Sequence, residues 1–275
     1  MFATSGRHCG MAGIVKNIAY INDYNKKHEF DLSIYGCYTL IKPIHVFRDI
    51  FLAILPRCAY NYNRRKKILK ITWYGHACFK LETGEGSAIF DPYTPGSVPG
   101  LTLPEELFAD AVFCSHLHKD HGYARAVHLS GSEPGFRVER LHSFHDSQQG
   151  AVRGENLITV IEAEGKRIAH LGDLGHMPDS ELLGKLKGLS VIMIPIGGYY
   201  TIDSKIATEL VDILQPRITI PMHYRSDGFG HAVLSTADQF VAACAHIKKY
   251  KTNELYFTGN EEKFTALLCC PADLD

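Results

Sequence analysis

No run of about 18 or more uncharged apolar residues occurs in this 275-residue chain, which excludes a helix of transmembrane length. No CxxC pair occurs among the eight cysteines, which argues against a structural zinc ribbon. Their irregular spacing in a chain of this size also argues against a disulfide scaffold. Residues 1–30 lack the compact basic, apolar and small-residue order of a signal peptide. There is no internal repeat and no low-complexity tract. Excess charge is missing too, since the formal net charge is −1. What remains is a globular composition, 45% hydrophobic and 21% charged, long enough for one large or two modest domains. The cysteines then read mainly as small buried hydrophobes of a reducing cytoplasm, with Cys269-Cys270 as a surface pair.

The near-zero charge hides an asymmetry. Residues 1–68 carry 11 Lys and Arg against 4 Asp and Glu, whereas residues 69–275 carry 18 against 26. The break falls at Asn63-Arg64-Arg65-Lys66-Lys67. Before it there is neither a strand–turn rhythm nor a long amphipathic repeat. Residues 37–60 are fairly apolar but interrupted by Lys42, His45, Arg48 and Asp49, so an interfacial helix is an alternative there. The expected organisation is a basic segment, 1–68, that is not part of the fold, followed by one domain, 69–275; the rival reading of the segment is a real basic extension that binds a membrane surface or nucleic acid.

After the break the pattern is regular. Ile68–Tyr74, Cys78–Leu81, Ser87–Phe90 and Ala111–Cys114 read as short strands. Leu157–Ala163 and Arg167–Leu171 read as a hairpin across Glu164-Gly165. Val191–Ile196 is uniformly apolar, as in a strand buried on both faces, and Arg217–Ile220 follows Pro216 as another. Helices are expected at Ser180–Lys187, capped by Asp179 or Ser180, at Ser204–Leu214, and at Thr236–Tyr250, capped by Ser235 or Thr236. Strands mixed with late helices indicate a layered α/β or α+β sandwich.

Ser115-His116-Leu117-His118-Lys119-Asp120-His121-Gly122 follows the Ala111–Cys114 strand directly. In extended backbone, side chains at i and i+2 point the same way, so His116 and His118 can grip one ion together. Asp120 and His121 follow where the chain turns and can face a second. Neutral imidazole with carboxylate suits Zn²⁺ or a similar divalent cation. Twelve histidines fall after residue 68, so some clustering is expected by chance. An H-x-H-x-D-H run directly behind an apolar strand is much more specific than that. His145, Asp173 and His223, each past an apolar segment, are further donors. Taken singly they would read as a structural His or a turn-forming Asp.

This order of motifs resembles the metallo-β-lactamase superfamily. Ile71-Thr72-Trp73-Tyr74-Gly75-His76-Ala77, Phe90-Asp91-Pro92, His145-Asp146, Arg153-Gly154-Glu155-Asn156, His170-Leu171-Gly172-Asp173-Leu174-Gly175-His176, Pro195-Ile196-Gly197-Gly198-Tyr199-Tyr200-Thr201 and Pro221-Met222-His223-Tyr224 are similar to its stand-alone metal-dependent hydrolase branch, which is similar to ascorbate-6-phosphate lactonase. The resemblance covers about residues 69–260. It implies an αββα sandwich with the metals at one edge.

Carried over by motif, His116, His118 and His145 would hold one metal, and Asp120, His121 and His223 a second, with Asp173 bridging. His142 is the rival of His145. Asp91 is implied to orient a ligand rather than to ligate. His76 and His176 stand either near the metals or as buried structural histidines, and His170 is expected to face away. Zn²⁺, two per chain, is the implied cofactor, with Mn²⁺ or Fe²⁺ as substitutes.

The implied chemistry is attack by metal-activated hydroxide on a carbonyl or phosphoryl centre, with Asp120 or Asp173 taking the proton. Gly197-Gly198 would let the backbone approach a substrate closely. Tyr199, Tyr200 and Thr201 would offer hydroxyls beside it, unless they only pack the loop. The expected substrate is a small ester, lactone or phosphorylated metabolite. The alternatives are a phosphodiesterase or nuclease on the same core and a non-catalytic metal-binding protein. An acidic body disfavours nucleic acid as a partner, no membrane partner is expected, and a homo-oligomer is an open option. His118 stands where redox di-iron relatives carry Glu. Leu69 occupies the place of the branch's usual initiating Met. For a bacterial source, a TTG start at Leu69, preceded by a ribosome-binding site translated as Arg-Arg-Lys-Lys, would account for residues 1–68.

Overall fold

The computed structural model describes residues 68–273. The basic segment and its candidate interfacial helix lie outside the described residues. The chain forms strands β1 (Leu69–Trp73), β2 (Phe79–Thr83), β3 (Gly86–Phe90), β4 (Leu107–Ala109), β5 (Ala111–Phe113), β6 (Val127–Leu129), β7 (Arg137–Phe144), β8 (Glu155–Ala163), β9 (Lys166–His170), β10 (Val191–Pro195), β11 (Ile218–Met222), β12 (Ile247–Lys249), β13 (Glu254–Phe257) and β14 (Phe264–Leu267). The helices are α1 (Ser180–Lys185), α2 (Ser204–Leu214) and α3 (Asp238–Ala243).

Two sheets organise these elements. One has the order β13-β1-β2-β3-β5 and the other β12-β14-β11-β10-β9-β8-β7, while β4 and β6 form a small separate pair. Their inward faces share one apolar core. Val191, Ile192, Met193 and Ile194 of β10 have no exposed surface, as a central parallel strand requires. Each such side chain contributes roughly 1.5–3 kcal/mol on burial. β8 and β9 pair antiparallel with Ala163 opposite Lys166. The two residues between, Glu164 and Gly165, both have positive φ, the conformation of a tight two-residue hairpin turn. Asp179 caps α1 by accepting from Leu182 N, and Asp203 caps α2 by accepting from Ile206 N.

Strand direction explains where chemistry can gather. β1 and β2 are antiparallel, β2 and β3 antiparallel, and β3 and β5 parallel, so β1, β3 and β5 all end on one edge of their sheet. In the other sheet β7, β9, β10 and β11 likewise run in one direction. Backbone hydrogen bonds tie the two edges together: His223 N donates to His76 O at 3.2 Å and Leu157 N to Ser115 O at 2.9 Å.

The expected helix Thr236–Tyr250 is not formed as such. α3 ends at Ala243, Cys244 is extended, and Ile247–Lys249 becomes β12, paired parallel with β14. Neither Ser235 nor Thr236 caps α3, whose N-cap is Ala237; the Thr236 hydroxyl instead donates to Asp238. Cys270 is buried rather than on the surface. Among the described residues no helix is long and apolar enough to cross a membrane.

Candidate metal centre

Six strand ends converge on one place, five of them carrying donors. His76 follows β1, Asp91 follows β3, and the His116–His121 run follows β5. His145 follows β7, Asp173 follows β9, and His223 follows β11. Three groupings result in which one donor atom per residue lies within 4.8 Å of every other: His116 with His118 and His145; His76 with Asp120, His121 and His223; and His116 with His121 and Asp173. Asp173 stands between the first two. Its Oδ2 is 3.1 Å from His145 Nε2, 3.2 Å from both His121 Nε2 and His223 Nε2, and 3.9 Å from His116 Nε2.

The positions are built in. His76, Asp91 and His223 all have left-handed backbone, at φ 51°, 43° and 54°, a conformation that costs non-glycine residues energy and is retained where surrounding structure fixes it. The His76 carbonyl accepts from Trp73 Nε1 at 3.0 Å. Asp173 N donates to the Asn156 side chain at 2.9 Å, and Asn156 Nδ2 donates in turn to Ser143 Oγ and Leu171 O. His145 Nδ1 lies 3.1 Å from Tyr200 O, which directs its Nε2 at the cluster. Gly175 packs on the His145–Asp146 backbone so tightly that any Cβ there would collide with it.

Asp91 does not join the donor groups. Its Oδ1 accepts from Ser115 N and its Oδ2 from Ser115 Oγ, both at 2.6 Å, and Oδ2 lies 2.8 Å from His121 Nδ1. Ser115 Oγ is also 3.0 Å from His116 Nδ1. One buried carboxylate thus orients two imidazoles whose other nitrogens face the cluster.

Burial and neighbouring charge set the protonation states. Burial pushes His76 down to about 3 and His116 down to about 4, so both are neutral and able to ligate near pH 7. Burial opposes charge on Asp173, but His121 and His223 outweigh it and hold that carboxyl well below the usual range. Burial likewise opposes charge on Asp120, but the His76 imidazole 3.4 Å away and the charge of His121 keep it ionised. His121 is raised well above the ordinary imidazole value because Asp173 and Asp91 overcome its burial.

Other expected positions fall elsewhere. His142 is exposed on β7 and pairs with Glu155 at 3.2 Å. His170 is buried against Ala77 O, at 2.8 Å, away from the cluster. His176 accepts from Phe144 N through Nε2 and lies 2.9 Å from Met177 O through Nδ1, so it braces the end of β7. The Thr201 hydroxyl donates to Ile202 O and is not free for a substrate, and the Tyr199 side chain is mostly exposed. Gly197 does approach another backbone closely, but it is that of His223, where a Cβ would strike the carbonyl.

Tyr200 lines a cleft of about 400 Å³ with His118, Asp120, His145, Val152, Arg153, Asp173 and His231. His231, whose Nε2 is 3.9 Å from Asp120 Oδ2, was not anticipated, nor were the supporting roles of Ser115 and Asn156. His231 lies in an irregular loop with no periodicity around it, so only the folded chain brings it to the cleft.

A family model described as the beta-lactamase superfamily domain matches residues 70–223. The chain belongs to this superfamily. Its curated relatives in the superfamily include UPF0173 metal-dependent hydrolases from Opitutus terrae, 30% identical over 196 residues, and from Thermoplasma acidophilum, 31% identical over 189 residues. The aligned region covers 58% of this chain in both cases, and 86% and 84% of those proteins. Among solved structures, a candidate Zn-dependent hydrolase of the metallo-beta-lactamase superfamily from Thermotoga maritima is 30% identical with a TM-score of 0.58, covering 73% of this chain and 98% of that one. The two facing sheets with late helices are therefore the αββα sandwich of the metallo-β-lactamase fold.

Proposed function

We propose that this chain is a dinuclear metal-dependent hydrolase of a small ester, lactone or phosphorylated metabolite, with Zn²⁺ as the first choice of cation. The observation that carries this reading is the pattern of unsatisfied donors. Among the described residues, nine buried side-chain nitrogen or oxygen atoms lack a hydrogen-bond partner, and seven of them belong to His76, His116, His121, Asp173 and His223. Buried polar atoms are costly when unpaired, so their concentration in these five residues, the Nε2 atoms of His76, His116, His121 and His223 among them, fits bound cations. The donor chemistry, imidazole and carboxylate with no thiolate, suits Zn²⁺ and admits Mn²⁺ or Fe²⁺.

His116, His118 and His145 would hold one cation, and Asp120, His121 and His223 the other, with Asp173 shared between them. Two such cations, when bound, supply Lewis acidity that activates both water and the scissile carbonyl or phosphoryl group. The chain supplies the rest. Asp120 faces the cleft as an ionised carboxylate and can take a proton from an attacking water. His231, beside Asp120 and partly exposed, can pass that proton outward or deliver it to a leaving group. Asp91 and Asn156 hold His121 and Asp173 in register without touching substrate. Buried Trp73 and the His223 backbone both bond to the His76 carbonyl and fix the loop that carries His76.

The test is metal analysis of purified full-length protein followed by a screen of lactones, carboxylic esters, phosphodiesters and phosphorylated sugars. Metal-dependent turnover of a lactone, ester or phosphorylated sugar supports the reading. Turnover confined to phosphodiesters would favour the nuclease-like alternative, and metal bound without turnover would favour a binding protein.

A further inference from the structure

Arg153 is half-buried in the cleft lining. It lines the 400 Å³ cleft beside His118, Asp120 and Asp173, and it also lines an adjoining hollow of about 450 Å³ next to His116 and His118. Its guanidinium is centred 5.6 Å from the Tyr200 ring and 6.0 Å from the Tyr199 ring, within cation–π range of both. Among the described residues it forms no ion pair, whereas other arginines are committed: Arg140 to Cys114 O, Arg167 to the carbonyls of Lys185 and Lys187, and Arg217 to Glu261 O.

Its backbone is fixed as well. Asp146, the residue after His145, accepts from Arg153 N at 2.8 Å, and also from the backbone of Gln148, Gly150 and Val152. Tyr200, under the guanidinium, offers its carbonyl to His145 Nδ1. Arg153 is therefore tied on two sides to the residue pair that carries one of the metal-facing imidazoles.

A positioned guanidinium with no ion pair, in a cleft whose other ionisable lining is carboxylate and imidazole, has one evident use. We propose that Arg153 anchors an anionic group of the substrate, a carboxylate or a phosphate, held on the Tyr199–Tyr200 face while the scissile bond lies deeper, over His118, Asp120 and Asp173. This rests on the hydrolase reading and narrows its substrate class to small molecules that carry a negative charge beside the hydrolysed bond. The five N–H donors of the guanidinium match either oxyanion, and two of them can bind one oxyanion in bidentate fashion.

The test compares matched p-nitrophenyl esters on the metal-loaded full chain: a neutral butyrate, a glutarate monoester ending in carboxylate, and an acyl chain ending in phosphate. The wild-type chain should prefer one anionic ester. In Arg153→Ala that preference, read as a ratio of kcat/KM values, should fall by about 10- to 100-fold, the scale of a charge-assisted hydrogen bond, and Arg153→Lys should recover part of it. Arg125→Ala, which removes an exposed arginine outside the cleft lining, controls for net charge and should leave the ratio alone.

Calorimetric titration with glutarate and with inorganic phosphate gives a readout independent of turnover, and Arg153→Ala should weaken the favoured anion by a similar factor. The anionic ester that responds identifies which oxyanion is used. An unchanged preference and unchanged anion affinity in Arg153→Ala would overturn this inference while leaving hydrolysis standing. Loss of all turnover in the wild-type chain at full metal loading would instead contradict the hydrolase reading, and the titration would still decide the role of Arg153.

Discussion

His121 Nδ1 lies 2.8 Å from Asp91 Oδ2, and neither residue has any exposed surface. The contact fixes the imidazole so that Nε2 faces the donor cluster. Replacing Asp91 with Asn keeps the size and the left-handed backbone but removes the charge. Metal affinity should fall by about 10- to 100-fold, as for other groups that orient a ligand. Equilibrium dialysis of D91N against wild type measures it.

Removing a donor should do more. His118→Ala and Asp173→Ala should each lower the number of bound cations and abolish hydrolysis. Asp173→Ala should disturb both groups, since its Oδ2 reaches imidazoles of both, whereas His118→Ala should chiefly affect the first. Metal stoichiometry alongside initial rates distinguishes these patterns, and unchanged turnover in both variants would refute the mechanism.

Gly175 tests the close packing behind His145. A methyl group there must displace the His145–Asp146 backbone, so Gly175→Ala should destabilise the fold by about 1–3 kcal/mol, the usual cost of overpacking. It should also weaken metal binding at the His116–His118–His145 group. Urea unfolding and metal titration of the same variant check both.

Asp110 gives a pH signature away from the centre. Burial opposes its charge, but hydrogen bonds from Ser130 and Ser87 hold its pKa below the ordinary carboxylate value. A depressed folded pKa means that the unfolded chain binds the proton more readily. The stabilisation is therefore present above about pH 3.9 and is lost as pH falls through the lower folded value. Asp110→Asn should flatten the acid limb of stability, with a cost near neutrality kept to about 0.5 kcal/mol because solvent screens this part-exposed carboxylate. Urea midpoints between about pH 3 and 7 measure the difference.

Chelation should also destabilise. Cations that bind only the folded chain add about 2.7 kcal/mol when free metal is a hundred times the dissociation constant. Exhaustive chelation should lower Tm, and returning Zn²⁺ should restore it.

Much of this was legible in the sequence because it is local. The uniformly apolar Val191–Ile196 reads as a strand buried on both faces, and Val191–Pro195 is one. Helix α2 occupies the expected Ser204–Leu214, where an amphipathic pattern follows the cap. The H-x-H-x-D-H run holds four donors in one loop, so its metal-binding character shows in the sequence even though distant His76, His145, Asp173 and His223 complete each donor group.

What escaped is what tertiary packing decides. β7 went unread because its first half is exposed and gives no apolar alternation. The Thr236–Tyr250 helix was overextended because the helical signal around Phe240 says nothing of β14, which recruits Ile247–Lys249 into the sheet. The Thr201 hydroxyl donates to Ile202 O, the loop-packing alternative, and Gly197 lies against the His223 carbonyl, contacts that only the folded backbone decides. His76 could be placed on either side of the question until its ring was found against His223 and Asp120.

The most direct measurement is the metal content of the full chain after dialysis against limiting free Zn²⁺, paired with the hydrolysis rate of the same sample. The account predicts saturation at two cations per chain and a rate that vanishes on chelation and returns with metal. Saturation at one cation or fewer, or hydrolysis that survives complete removal of metal, would contradict it.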